Sequence, residues 1–229
     1  MPLLLQRARA QAWEIPDPAG DLAWRASLPG AFGYDQAAHV LRAVQAQGTP
    51  AVELLPVAFP TSWMVNAKAT SRTFRAWLTP GPFAAWNALL TSLGESSSQE
   101  DWLALGPEPR AVVQAAVTEL ASVEGASLVA VTKVLALLRP QLVPLMDDAA
   151  LWFALDAVPE PTTADAPVAA PALFEPMMDW FAEQSLAHEA GLVEVAAAHE
   201  LAVLDVPQTL DRLLWVASWG HRLRPPKGS

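Results

Sequence analysis

An all-α fold is the class that this sequence predicts, and three observations predict it. Wherever apolar residues recur regularly, they do so at i, i+3, i+4 and i+7, the period of a helix face. Proline and glycine clusters separate these runs. The 229 residues are 52% hydrophobic, which is enough for a sizeable core. We therefore expect a compact single domain over residues 1–229 with about eight to ten helices and little strand.

The first part of the chain alternates loops and helices. Residues 1–34 are rich in proline and glycine and are predicted to be a loop-rich segment. Asp35 is expected to cap a helix that runs to Gln47, with Gly48 as its stop. The apolar run 51–59 contains Pro56, which favours an irregular or short extended segment.

The main basic cluster lies in residues 62–78 and consists of Lys68, Arg72 and Arg75. On one continuous helix these three side chains would share a face, because they are four and three residues apart. With aromatic residues between them, they form the best candidate anion site in the chain. The favoured alternative is an exposed cationic face that pairs with acidic residues of the second half of the chain.

Three further helices are expected before the middle of the chain. The break at Pro80-Gly81-Pro82 precedes a helix over 83–93, and a short helix over 99–105 follows a serine-rich loop. The next helix spans 110–123 and directs a set of apolar residues at the core. These residues are Val112, Val113, Ala116, Val117 and Leu120.

The stretch from Ser127 to Leu155 has the strongest chemical potential. Its first run, Leu128 to Leu138, is apolar on two sides and is predicted to be a central helix that Pro140 ends. Lys133 lies among the aliphatic residues of that helix. Pro144 is expected in the first turn of the next helix, where Asp147 and Asp148 would face the positive end of the helix dipole.

This stretch resembles the T-K-x-L-x-x-x-R-P-x-L-x-P-x-x-D signature of a family of uncharacterised bacterial proteins. That family is in turn similar to a reduced form of the helix-hairpin-helix DNA glycosylases, including the 8-oxoguanine DNA glycosylases. The matching residues are Thr132-Lys133-Val134, Arg139-Pro140-Gln141, Leu142, Pro144 and Asp147.

The resemblance implies a helix-hairpin-helix glycosylase-like fold and a pair of catalytic groups. Lys133 matches the lysine that attacks the sugar carbon, and Asp147 or Asp148 matches the aspartate that supports the proton transfers. Two features depart from the glycosylases: Leu128 to Val131 contain no glycine turn for a DNA phosphate, and only 14 positions separate Lys133 from Asp147.

Charge is distributed unevenly along the chain. Residues 1–140 carry ten Lys/Arg and eleven Asp/Glu, whereas 141–229 carry four and thirteen. Between Gln141 and Asp211 there is no Lys or Arg. Nucleic-acid binding depends on basic side chains that neutralise phosphates, so this distribution disfavours a nucleic-acid partner. The acidic half is expected to be a solvated face, or else a dock for a basic protein partner.

The remaining chain is predicted to contain one long loop and three helices. The proline-rich segment 158–171 is the loop, and the helices are expected over 173–186, 192–204 and 205–219, before a basic tail at 221–229. His188 and His199 each precede a glutamate, but they are eleven residues apart and do not form a compact ligand pair. We expect no metal site.

Absent features narrow the function further. There is no cysteine, and the chain contains no P-loop, dinucleotide-binding, nucleophile-elbow or zinc-protease motif. No apolar run is long enough for a signal-peptide core or a membrane span. We therefore expect a soluble cytoplasmic protein without a cofactor. Two functions remain: a non-catalytic interaction protein, which the charge favours, and a glycosylase/lyase-like enzyme that uses Lys133 and Asp147.

Overall fold

The structure is a computed structural model, and it describes residues 29–65, 69–94, 96, 98–146, 151, 170–198, 206–211 and 213–214. Within these ranges all regular structure is helical and no strand occurs, so the prediction of an all-α fold is confirmed for them. Residues 1–28, most of the proline-rich segment 158–171 and the tail 221–229 lie outside the described residues.

Nine α-helices follow one another in the described ranges, with a further helical stretch at 206–211. They are α1 (Pro29–Ala46), α2 (Leu55–Thr61), α3 (Ser71–Trp77), α4 (Pro80–Leu93), α5 (Gln99–Ala104), α6 (Pro107–Ser122), α7 (Leu128–Leu138), α8 (Phe174–Ala187) and α9 (Glu189–Ala198). Short 3-10 turns occupy Ala51–Leu54, Ser62–Val65 and Pro171–Leu173.

Helix α7 is the centre of the fold. All eleven of its residues are buried, and α1, α2 and α6 pack against it. Its N-terminus is capped by Ser127, whose Oγ accepts a hydrogen bond of 3.1 Å from the amide of Ala130. A helix that is apolar on every side must be surrounded by other packed elements. The predicted bounds 128–138 of this helix are confirmed.

An aromatic cluster fills the space between α2, α3 and α4. Phe59 stacks on Phe74 with ring centroids 5.4 Å apart, and Trp77 meets Trp86 edge to face at 5.5 Å. The indole Nε1 of Trp77 donates to the carbonyl of Leu120 over 2.9 Å, which ties this cluster to α6. The apolar ring of Trp77 is thus packed in the core, and its polar N–H group has a hydrogen-bond partner there.

Prolines start helices here at positions where the sequence pattern indicated an interruption of regular structure. The run 51–59 was predicted to be irregular, but it forms a 3-10 turn followed by α2, with Pro56 in the first turn. Likewise Pro80-Gly81-Pro82 forms the first turn of α4 instead of a break. First-turn residues need no amide hydrogen for the helix, so proline is tolerated there.

Three other expectations were wrong in detail. Helix α1 begins at Pro29, six residues before the predicted cap Asp35. Val112 is 42% exposed instead of facing the core, although Val113 and Val117 are buried as predicted. Helix α9 (Glu189–Ala198) begins three residues before the expected start at 192, and residues 199–204 of the expected helix lie outside the described residues. Helix ends depend on capping contacts that the apolar period does not report.

The inward face of α8 agrees with the prediction. Phe174, Met177, Met178 and Phe181 are fully buried, and they follow the spacing of one helical stripe. Helix α8 packs on α5 and α6, which places the second half of the chain against the first.

Gly125 provides a test of backbone geometry between α6 and α7. Its φ is +76°, and a Cβ added there would lie 2.8 Å from Oγ1 of Thr73, a buried hydroxyl that donates to the carbonyl of Glu124. We expect Gly125→Ala to destabilise the fold by about 1–3 kcal/mol, measured by urea denaturation. Gly48 also has a positive φ, +97°, but its added Cβ would meet nothing within 4 Å. Gly48→Ala should therefore cost less, and equal losses would contradict a steric role for Thr73.

Candidate functional site

Lys133 is buried in α7, as the sequence predicts. The residue is only 8% exposed, and the helix residues on both sides of it are buried as well. A lysine is rarely this inaccessible unless its charge is balanced or its amine has a special role. The buried position of Lys133 is therefore compatible with both a structural and a catalytic role. The groups around Lys133 are what distinguishes these two roles.

The loop 139–146 follows α7 and is held by hydrogen bonds along its length. Its first turn is closed by the amides of Leu142 and Val143, which both donate to the carbonyl of Arg139 over 3.0 and 2.9 Å. The side-chain amide of Gln99 in α5 then donates to the carbonyls of Gln141 and Leu142 over 2.7 and 3.0 Å. The loop is thereby fixed to α5 as well as to α7.

The far end of the loop is bound to two other elements. Oδ1 of Asp211 accepts a hydrogen bond from the amide of Leu145 over 3.0 Å. Oγ1 of Thr132 lies 3.2 Å from the carbonyl of Val129 and 3.4 Å from that of Met146, and it can donate its one hydrogen to either. The contact with Met146 brings the loop back beside α7. Residues 143–146 are not helical, so the prediction that Pro144 opens a helix was wrong. The polar groups of Leu145 and Met146 are instead engaged by side chains.

The two aspartates of the glycosylase hypothesis follow the anchored loop directly in the sequence. Asp147 and Asp148 lie outside the described residues. Met146, which precedes them, is hydrogen-bonded to Thr132, which precedes Lys133. The structure thus places Met146, the last described residue of the loop, beside the helix of Lys133.

Asp211 was missed as a functional or structural residue at the sequence level. It is 8% exposed, and it lies between the buried Leu210 and Leu214 on a helical stretch. An acidic residue within an apolar helical stripe is a signal for a buried acceptor with a specific donor. That signal was present in the sequence, but it did not identify Leu145 as the donor.

The basic cluster does not form one helical face. Residues 69–70 are not helical, Thr70 caps α3, and Lys68 lies outside the described residues. Arg72 pairs with Glu124 over 2.9 Å, with both side chains about three-quarters exposed. Arg75 donates from Nε to the carbonyl of Ser71 in its own helix. The partner acid of Arg72 thus lies within residues 1–140, and not in the acidic part 141–229 where it was expected.

Arg110 makes ion-pair, cation–π and hydrogen-bond contacts that the sequence pattern did not indicate. It lies on α6 with its guanidinium 4.6 Å from the ring of Trp102, and it contacts Asp179 at 2.8 Å and Glu175 at 3.4 Å. Trp102 also donates from Nε1 to Oδ1 of Asp179 over 2.8 Å. Three helices therefore meet at this one guanidinium.

A cleft of about 510 Å³ lies at the C-terminal end of α7. Arg42 and Arg139 line it, but the guanidinium of Arg139 is engaged by the side chain of Gln45 and by the carbonyls of Leu138 and Gly94. Arg139 was expected to complement the helix dipole at this end, and its contact with the Leu138 carbonyl agrees with that role. Lys133 does not line this cleft.

A second cleft, of about 420 Å³, lies where α5 meets the junction of α8 and α9. Two of its lining residues, Glu100 and Glu189, are acidic, and Lys133 does not line it either. The residues that line it are Ser98, Gln99, Glu100, Gln141, Ser185, Leu186, Glu189, Val206 and Pro207.

His188, which follows the last residue of α8, is expected to make the stability of the fold depend on pH. It ends α8, its Nε2 is buried without a hydrogen-bond partner, and burial lowers the pKa of His188 from its ordinary value of 6.5. The unfolded chain then binds this proton more tightly than the folded one. The contribution of His188 to stability is therefore greatest above pH 6.5 and falls as pH drops through the lowered folded-state pKa.

Urea denaturation between about pH 5 and pH 8 measures this effect. His188→Gln should remove the part of the pH dependence that wild type shows below pH 6.5. His39→Gln, at an exposed position of α1, is the matched control and should keep it. Identical pH dependence in wild type and His188→Gln would contradict the assignment.

Other site types find no support in the described part of the chain. No group of three or more His, Cys, Asp or Glu residues there is arranged to hold a metal ion. No helix in the same ranges is both long and apolar enough to cross a membrane. Neither a protein-family model, nor a curated protein, nor a solved structure matches this chain.

Proposed function

We propose that this protein is a non-catalytic interaction protein whose acidic second half docks a basic protein partner. The observation that carries this proposal is the surface of α8 and α9. Glu183, Glu189 and Glu194 are exposed there, and none of the three forms a salt bridge with a cation of the described residues. A face of one sign of charge attracts and orients a partner of the opposite sign.

The contacts of the T-K…R-P…P motif support a structural role for it. Thr132 holds the carbonyl of Met146, Arg139 ties α7 to α1 and α4, and Pro144 lies buried in the anchored loop. These three residues stabilise the packing of the fold, and that role does not require catalysis. The proposal extends that interpretation to Lys133 as a core lysine on a helical scaffold of the glycosylase-like kind.

Binding of a fluorescent polybasic peptide tests the docking function. We expect binding that weakens with rising salt, as for exposed charges generally. Reversing Glu183 and Glu194 to lysine should weaken it by about tenfold or more, since each favourable surface contact would become repulsive. The control is Glu53→Lys, an exposed position outside α8 and α9. Binding that is insensitive to salt, or weakened equally by the control, would refute the proposed face.

A DNA glycosylase/lyase-like activity that uses Lys133 and Asp147 is the second candidate. The hydrogen bond between Thr132 and Met146 favours it, because it brings the chain that leads into Asp147 next to the helix of Lys133. A nucleophilic amine must be partly neutral, and burial favours the neutral form. Borohydride trapping with abasic DNA tests this candidate: an adduct in wild type that disappears in Lys133→Met would establish it and displace the non-catalytic role.

A further inference from the structure

The second cleft, beside α8, is lined by side chains whose charges or hydrogen-bonding groups lack partners among the described residues. Glu100 lies in the first turn of α5 and Glu189 in the first turn of α9, so two carboxylates reach the cleft from different helices. Neither forms a salt bridge with a cation in the described ranges. Two buried polar atoms of the lining also lack partners, and these atoms indicate what the cleft accepts.

The first of these atoms is Oε1 of Gln99. The residue is 3% exposed, and its Nε2 donates to the carbonyls of Gln141 and Leu142. Exchanging the nitrogen and oxygen would bring an acceptor against two acceptors, so the amide can have only this orientation. Oε1 is buried and has no hydrogen-bond donor among the described residues, and Gln99 belongs to the lining of the cleft.

The second atom is Oγ of Ser185, near the end of α8. The residue is 2% exposed, and its hydroxyl has no hydrogen-bond partner in the described part of the chain. Ser185 and Gln99 both belong to the lining of this cleft. Buried polar atoms are nearly always hydrogen-bonded in folded proteins, so two unsatisfied ones on the wall of one cleft are informative.

We propose that this cleft binds a guanidinium or alkylammonium group. Such a group carries several N–H donors and a positive charge, which match the Gln99 and Ser185 oxygens and the Glu100 and Glu189 carboxylates. Aliphatic surface for the stem of such a ligand comes from Leu186, Val206 and Pro207. The described lining contains no cation that already fills this role.

The cationic group has two conceivable sources. One is an arginine or lysine side chain of the basic partner, and in this form the inference rests on the proposed docking function. The other is a small free amine or guanidine. Two probes separate these sources: ethylguanidinium, and an eight-residue peptide whose only charged group is one internal arginine.

Isothermal titration calorimetry with each probe tests the site. We expect saturable binding that weakens by about tenfold in Glu100→Gln and in Glu189→Gln, because each loses a charge-assisted hydrogen bond. Ser185→Ala should weaken binding several-fold while the melting temperature stays the same or rises, since it removes an unsatisfied buried hydroxyl. Glu119→Gln, at an exposed position of α6 outside the cleft, is the matched control and should bind as wild type does.

Each outcome has a distinct meaning. Tighter binding of the peptide than of ethylguanidinium supports a partner side chain in the cleft. Binding of ethylguanidinium alone supports the site with a small-molecule ligand. Absence of binding by both probes, or binding that the cleft variants leave unchanged, overturns the inference. The docking function is judged separately by Glu183 and Glu194, neither of which lines the cleft, so the two can fail independently.

Discussion

Arg110→Ala is expected to lower the free energy of unfolding by about 2–4 kcal/mol. Removing one member of a buried ion pair costs about 3–5 kcal/mol, and partial exposure of the acidic partners reduces that figure. The Arg110 side chain is 16% exposed, whereas Glu175 and Asp179 are each 38% exposed. The substitution would leave both carboxylates uncompensated at the contact between α6 and α8.

Several other contacts of Arg110 would be lost as well. Its Nε donates to the carbonyl of Leu105 over 3.1 Å, and one terminal nitrogen donates to the carbonyl of Trp102 over 2.9 Å. These bonds satisfy carbonyls near the end of α5, while the stacking on Trp102 buries the guanidinium face. Arg110→Lys should restore only part of the stability, because an ammonium lacks the planar fork and the stacking surface.

Urea denaturation of Arg110→Ala and Arg72→Ala provides the comparison. Arg72 also forms an ion pair, but both it and Glu124 are about three-quarters exposed. Exposed pairs contribute little, so Arg72→Ala should cost less than about 1 kcal/mol. If the two variants lose the same stability, the Arg110 cluster is a surface feature without special weight.

Lys133→Met is expected to lower the melting temperature clearly if Lys133 is a structural residue. In the structural hypothesis Lys133 and Asp147 form a buried ion pair, and loss of one partner costs about 3–5 kcal/mol when the pair is fully buried. The observed 8% exposure of Lys133 places its side of the pair in that regime. If Lys133 is instead a nucleophile in an open cleft, the same change leaves stability unchanged or raises it.

A second substitution to methionine on the same helix is the control for altered packing. Leu135 is fully buried, and Leu135→Met should cost less than about 1.5 kcal/mol because the volume is nearly conserved. A double-mutant cycle of Lys133→Met with Asp147→Asn then measures the coupling between the two groups. Additive losses would exclude the ion pair, even if Lys133→Met alone were destabilising.

The spacing of apolar residues in the sequence correctly predicted the helices that are buried on one face or on all sides. Helix α7 has the predicted bounds, and the inward residues of α8 are those of its apolar stripe. Both follow from local pattern alone, since a helix must bury whatever apolar face it presents. The start of α1 and the helical nature of 51–59 were missed because proline in a first turn and proline as a breaker look alike in a sequence.

The composition and order of residues by themselves determined that this protein is built from helices around a buried α7 with Lys133 in it. Only the tertiary structure decided which charges are satisfied: Arg110 meets residues of α8, Arg72 meets Glu124, and Asp211 meets an amide far away in the chain. The physical reason is the separation along the chain of the residues that each kind of contact joins. Helical burial is set by residues three or four apart, whereas a hydrogen bond or ion pair depends on ångström-scale positions that distant segments reach only after packing.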